Sequence, residues 1–391
     1  QETFSNFADP NSTLEGTFAN PWSDVFTSQN HVITGSEFDV DYQGEQDIQS
    51  WYTMIDLPIN DKAKVIAGLR FERTTIDVVN DPDPLALWIP PGATSQFVLN
   101  PGDADVDFKR RDVLPMVGVE VRPHDDVILR GSFSQTVARQ TFKELTPIQQ
   151  QEFLGGPVFV GNPTLDMSEL VNYDLRADYT PSGTTFLSLS LFKKKIENPI
   201  EQVQRIVGFS YETAVNYPKG DLEGWEFEVR QGLGDFVDSL DGLSVGGNIT
   251  RIEAEVQLPA DEAAEFADPS IDLNITSRDM TNAPDYLYNL YATYDFERTQ
   301  VSLFWLVTGD TLVAGAGQSI GNFVPNVYAK EVGTLNFSAA HKLGESARLR
   351  FQAKNITDPK IEEVFRFQGK EATRSSFTRG REYSISLSGR F

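Results

Sequence analysis

Tyr383-Ser384-Ile385-Ser386-Leu387-Ser388-Gly389-Arg390-Phe391 closes the sequence, and its reading decides the fold. Tyr383, Ile385, Leu387, Gly389 and Phe391 fall on one face, and Ser384, Ser386, Ser388 and Arg390 on the other. Successive side chains of a β-strand point to opposite sides, so this alternation marks a strand with one apolar and one polar face. The pattern recurs upstream. Ala347, Leu349, Phe351 and Ala353 oppose Arg348, Arg350, Gln352 and Lys354. Val171, Tyr173, Leu175, Ala177 and Tyr179 oppose Asn172, Asp174, Arg176 and Asp178. Trp225, Phe227 and Val229 oppose Glu226, Glu228 and Arg230.

Alternation of this kind predicts about 13 strands, each long enough to cross a bilayer when tilted. They lie near 45–59, 64–80, 112–122, 127–141, 170–181, 185–203, 222–235, 243–256, 284–296, 299–309, 332–343, 347–357 and 380–391. Their connections alternate between short and long. The short ones, such as Asn60-Asp61-Lys62, Ser182-Gly183-Thr184 and Gly344-Glu345-Ser346, are hairpin-turn chemistry. The long ones fall near 81–111, 142–169, 204–221, 257–283, 310–331 and 358–379, beyond ordinary hairpin length. A water-soluble sandwich has no reason to gather every long loop at one end. Tight turns on one side and long loops on the other are the habit of an outer-membrane barrel. The expected fold is therefore all-β, a transmembrane antiparallel β-barrel.

Parity extends the reading. With turns on the periplasmic side, the final strand and the strand at 45–59 both run inward. An intact bacterial barrel has an even strand number. The expectation is that 1–44 belong to an extracellular loop and that 45–391 form the C-terminal part of a 22-stranded barrel, without plug or early strands.

Composition sets limits. There is no cysteine, so disulfides and thiolate metal sites are excluded. His31, His124 and His341 are far apart and suggest no metal site. A net charge of -24 lacks the basic footprint of a nucleic-acid binder. No apolar run is long enough for a membrane helix, and no signal peptide is visible. No G-x-S-x-G, H-E-x-x-H or P-loop occurs, so no enzyme and no cofactor are expected.

Six stretches carry a family resemblance. They are Arg130-Gly131-Ser132-Phe133-Ser134-Gln135-Thr136-Val137-Ala138-Arg139, Gly161-Asn162-Pro163-Thr164-Leu165 followed by Asn172-Tyr173-Asp174-Leu175, Leu191 to Ile200, Gly220 to Glu226, Asn355-Ile356-Thr357-Asp358, and Gly380-Arg381-Glu382-Tyr383 through Phe391. In this order, over roughly 110–391, they resemble the C-terminal half of TonB-dependent receptors. Gln140 stands where that family often has proline. The resemblance implies a Gram-negative outer-membrane transporter of a scarce nutrient. It also implies coupling to the TonB-ExbB-ExbD complex through a plug and TonB box that have no match here. Lipid, lipopolysaccharide, the N-terminal remainder and a surface lipoprotein are the other implied partners. Ferric siderophores, cobalamin and oligosaccharides remain open as substrates, and the motif style resembles receptors serving carbohydrates. An anchoring subunit without transport, or a passive porin, is the alternative.

Residue roles follow in outline. Loop aromatics Trp88, Phe97, Phe153, Phe159, Phe323 and Phe365 are candidates for ligand contact, against ordinary loop packing. Tyr286, Tyr288, Tyr294, Phe296 and Trp225 fit aromatic girdles facing lipid. Arg130, Arg176, Glu226, Glu228, Arg230, Arg348, Arg350 and Lys354 would face the lumen, pairing across strands or with the plug. The acidic stretch 261–272 lacks EF-hand spacing and reads as solvated. Tyr383 and Phe391 resemble the C-terminal signal read by the barrel-assembly machinery.

Overall fold

The computed structural model describes residues 40–151, 156–269, 271–319 and 322–389. Thirteen strands form one antiparallel sheet in which order in the sheet is order in the chain. They are β1 (Val40–Asn60), β2 (Ala63–Pro82), β3 (Val106–His124), β4 (Val127–Ala138), β5 (Ser168–Tyr179), β6 (Thr185–Glu197) and β7 (Lys219–Gly232). The sheet continues with β8 (Leu243–Gln257), β9 (Tyr286–Phe296), β10 (Thr299–Thr308), β11 (Val332–Leu343), β12 (Ala347–Lys354) and β13 (Glu382–Gly389). Every strand read from the alternation is present. β1 already begins at Val40, within the stretch expected to be loop, and β1 to β3 run to 21, 20 and 19 residues. A bilayer needs only about 9–11, so these strands project well past the apolar layer.

The register assigns the faces. Leu175 pairs with Leu191 and Gly131, and Leu191 with Trp225, so these residues share one side. Their neighbours Asp174, Arg176 and Glu226 take the other. The apolar side is open: Ile385 is 75 % exposed, Leu387 69 % and Leu290 55 %. Side chains this greasy stay uncovered over a whole wall only where the surrounding medium is itself apolar. Trp51 and Phe71 stack on that face with centroids 4.2 Å apart. Tyr294 and Phe296 stack beside the turn end, while Tyr286 and Trp225 stand towards the loop end, as two girdles require.

The two ends differ. At one end, turns such as Asp61–Lys62 and Glu297–Arg298 close the hairpins, with Glu297 at φ 48° and Gly344 at φ 73°. At the other, the long connections build a crown of their own strands. One four-stranded sheet joins Gln149–Gln151, Val158–Val160, Ile200–Val207 and Phe209–Asn216. A second joins Thr311–Ala314, Asn326–Ala329, Ile361–Phe367 and Lys370–Phe377. The expected strand 185–203 is thus two elements. Asn198 adopts φ 53° and Pro199 has no N–H to give the ladder, so the chain leaves the wall there.

The crown packs onto the polar face of the projecting strands. Ile76, Val78 and Val106 of the wall meet Leu145, Phe159, Leu165 and Ala214 of the loops. A one-turn helix, Phe142–Leu145, starts this loop with a capping box between Thr141 and Glu144. Gly161 fixes its return, because a Cβ there would lie 1.9 Å from the Thr146 carbonyl oxygen.

Candidate functional site

Two long connections converge on a buried polar centre. Glu201 comes from Ile200–Val207, Arg278 from the short strand Ser277–Asp279, and Glu262 from the helix Ala260–Phe266. Arg278 Nη1 lies 3.1 Å from Glu201 Oε2, with side chains only 4 % and 1 % exposed. The Thr281 backbone N–H donates to the same carboxylate at 3.0 Å. The guanidinium lies over the Tyr217 ring, 4.7 Å from its centroid, a desolvated cation–π contact. Tyr217 donates its hydroxyl to Glu262, and Arg205 approaches the other Glu262 oxygen at 3.4 Å.

Val203, Val256, Leu258, Phe266, Met280 and Ala316 surround this chain of groups. Gly315 lies against the guanidinium, where a Cβ would sit 2.5 Å from Cζ. Burial pushes the Glu201 carboxyl above its ordinary pKa, with the charge of Arg278 pulling against it. Burial also raises the Tyr217 phenol, which therefore stays a donor. Nε and Nη2 of Arg278 are buried with no hydrogen-bond partner among the described residues.

Beside this centre lies a cavity of about 430 Å³. Carboxylates dominate its lining: Glu253, Glu255, Asp279, Asp285 and Asp310, with Arg251 and Arg278 as the bases. Tyr328 donates to Asp279 at 2.7 Å, and Arg366 covers the Tyr328 ring at 4.1 Å. Lys330 bridges Asp310 and Glu371 at 2.9 and 3.3 Å, and Arg366 pairs with the same two carboxylates. Burial would raise Asp310, but hydrogen bonds from Lys330 and Arg366 outweigh it and hold the carboxyl below its usual range.

Below the crown, the polar face of the wall carries a ladder of charges. Arg122 and Arg130 both reach Glu120, at 3.0 and 3.1 Å, and Arg130 also pairs with Asp178. Arg176 continues to Asp178 at 2.8 Å and Glu228 at 3.6 Å. Asn248 donates to Glu226 at 3.2 Å, and Lys354 pairs with Glu382 at 3.0 Å. Cross-strand pairing thus accounts for Arg130, Arg176, Glu226, Glu228 and Lys354. Arg348 keeps a buried Nε without a partner among the described residues.

The loop aromatics do not meet. Trp88 is buried with Val40, Ala86, Leu99 and Ala104. Phe159 packs in the Ile76 and Leu145 cluster under Lys143. Phe365 lies beneath Arg374 at 5.8 Å, and Phe97 is exposed. Phe323 alone borders the polar centre, with Phe266 at 6.2 Å and Phe367 at 4.9 Å. Tyr383 stands on the apolar face of β13, 62 % exposed. Phe153, His31 and Phe391 lie outside the described residues.

The sequence reading missed Glu201, Tyr217 and Arg278. It also took Glu262 for a solvated acid, whereas the residue is buried between Tyr217 and Arg205. One signal was present: Arg278 is the single base in the connection between Leu258 and Asp285.

The family model described as "TonB dependent receptor-like, beta-barrel" matches residues 2–356. Among solved structures, the unliganded ferric citrate transporter FecA aligns with a TM-score of 0.60 at 14 % identity, covering 93 % of this chain and 48 % of that one. The copper transporter OprC aligns at 0.61 and 12 % identity, covering 89 % and 48 %. The ferric yersiniabactin receptor FyuA from Yersinia pestis aligns at 0.59 and 14 % identity, covering 90 % and 47 %. At these identities the likeness is one of fold, and the chain spans about half the length of the structures it matches. No curated protein matches it.

Proposed function

This chain belongs to the TonB-dependent receptor-like β-barrel family of the Gram-negative outer membrane, and from that premise we propose that it supplies the outward-facing, ligand-receiving part of a TonB-driven nutrient importer. The observation that carries the reading is the crown: long loops folded into a packed layer around buried charges, above a wall whose inner face is polar. A passive pore has no need of such a layer. A receptor that binds differently in closed and open states does.

The charge of the crown bears on the substrate. The connection 257–285 carries seven carboxylates against one arginine, and the whole chain carries -24. Such a surface repels anionic chelates and accepts hydrogen bonds from hydroxyls. This favours a neutral polyhydroxylated ligand of the oligosaccharide class. The relatives named above are described as handling ferric citrate, copper and ferric yersiniabactin, so a metal cargo is the competing substrate.

The test is uptake by intact cells producing the full receptor, with radiolabelled oligosaccharides and, separately, ferric siderophores or copper. Accumulation of a saccharide that stops when TonB is deleted or the proton gradient is collapsed is expected. Uptake of metal cargo alone would move the substrate. Flux indifferent to TonB would identify a passive porin and defeat the transport reading.

A further inference from the structure

We propose that Arg278 is the crown's anchor for an uncharged sugar, and that the segment 314–317 is a strap that lifts to admit it. The inference deepens the reading of this chain as part of an oligosaccharide importer and rests on it.

Arg278 is only half used. Its Nη1 meets Glu201 Oε2 at 3.1 Å and donates to the Asp279 carbonyl at 3.0 Å. Nε and Nη2, the two donors of the other edge, are buried and have no acceptor among the described residues. Charge balance with Glu201 needs Nη1 alone and does not account for this second edge. A buried donor without an acceptor is costly, and native proteins hold few of them.

Backbone covers the unused edge. A Cβ added to Gly315 would lie nearest to Cζ, Nη2 and Nε of Arg278, at 2.5, 2.6 and 2.8 Å. Gly315 therefore rests on the side of the guanidinium that carries the unpaired donors, where no other residue fits. Two backbone hydrogen bonds fasten it to the strand Ile200–Val207: the Gly315 N–H donates to the Gln202 carbonyl at 2.8 Å, and the Gln204 N–H to the Gly315 carbonyl at 3.0 Å. The Ala316 N–H donates to the Asn326 side chain at 2.6 Å. No large side chain pins the segment, which reads Ala314-Gly315-Ala316-Gly317. Phe323 rides on the adjoining hairpin of Gly317–Ser319 and Asn322–Val324.

The chemistry of the guest follows from the fork and its neighbours. Nε–H and Nη2–H point the same way and suit two adjacent oxygens. An anion would match the fork but not the surroundings. Glu201 and Glu262 already offset Arg278 and Arg205, so a further buried negative charge would stand uncompensated. Two neighbouring hydroxyls of a sugar ring supply the oxygens without adding charge.

The test titrates the full receptor, purified in detergent, with maltotriose, xylotriose and chitotriose in turn, and follows hydrogen exchange with and without each. At least one should bind, and it should speed exchange in 311–319 while 200–217 stays protected. Arg278→Lys keeps the charge beside Glu201 but loses the fork. It should bind that saccharide about a hundredfold more weakly, with exchange in 200–217 unchanged. Gly315→Ala pushes the strap off the guanidinium, so its exchange should rise and binding should tighten by about threefold, the opposite of a merely damaged site. Heat-modifiable migration on gels checks that each variant is folded. Binding that is indifferent to Arg278→Lys, or that leaves exchange in 311–319 unmoved, would overturn the anchor and leave the oligosaccharide reading standing. Failure of the unaltered receptor to bind any of the three would overturn both.

Discussion

The wall and the crown invert each other. In the wall, leucines and isoleucines lie bare and charges are gathered on the inner face, where Arg130, Arg176 and Asp178 answer one another. In the crown, apolar side chains are packed out of contact with any solvent and two full charges are sealed among them. The wall is held by its backbone ladder and by the lipid its face demands. The crown is held as a water-soluble domain is, by burial, and must balance every charge it encloses. The same chain thus obeys two solvent rules, changing from one to the other within a strand: β2 carries half-exposed Val65 and Leu69 on its apolar face low down and buried Ile76 and Val78 on its polar face at its top.

The largest effect should come from breaking that balance. Arg278→Leu alone leaves Glu201 buried without its counter-ion and is expected to cost the crown about 3–5 kcal/mol, whereas Glu201→Leu/Arg278→Leu together should recover most of it. Hydrogen exchange of the segment 200–217 reads both, and equal loss in the single and double variants would show that the pair is not what matters. Next comes the wall. Leu290→Arg, near the middle of β9 on the lipid face, should cost about 2–4 kcal/mol in denaturant unfolding from vesicles, with exchange in the crown unchanged. A comparable loss from Asn289→Arg, on the opposite face, would erase the distinction between the two sides.

The smallest effect is one of pH. Asp310 has its carboxyl held below the ordinary 3.8, so its contribution is present above that value and lost as pH falls through its lowered folded pKa. Glu201 is raised by burial, so its effect has the opposite sign: stability falls as pH rises from the ordinary 4.5 through the raised folded value. Exchange followed at successive pH values should therefore show hairpin 361–377 loosening in acid while the segment around Glu201 does not. Loosening of both together would deny that these groups act separately.

What the sequence revealed divides along the same line. Alternation was enough for the wall, because one face must suit lipid at every second residue and a strand at Tyr383–Leu387 or Val171–Tyr179 has no other way to satisfy that. The tight turns were legible for the same local reason. The crown was not, because its contacts join Glu201 with Arg278 and Arg205 with Glu262 across two separate loops, and no spacing rule links them. Trp88, Phe159, Phe323 and Phe365 were chosen for their residue type, which says how much area a ring buries but not in which cluster it does so.

Because neighbours in the wall are also neighbours along the chain, assembly has a preferred grain. Joining β1 to β2 closes only the Asp61–Lys62 turn, while joining β2 to β3 must close the stretch 83–105. A connection about ten times longer adds roughly 2 kcal/mol of closure entropy. Hairpins sharing a tight turn are therefore the natural nuclei, and each later seam between hairpins zips against a partner already in place. Low contact order along this route favours quick pairing. The loops, slowest to close, order last and on top of a finished palisade.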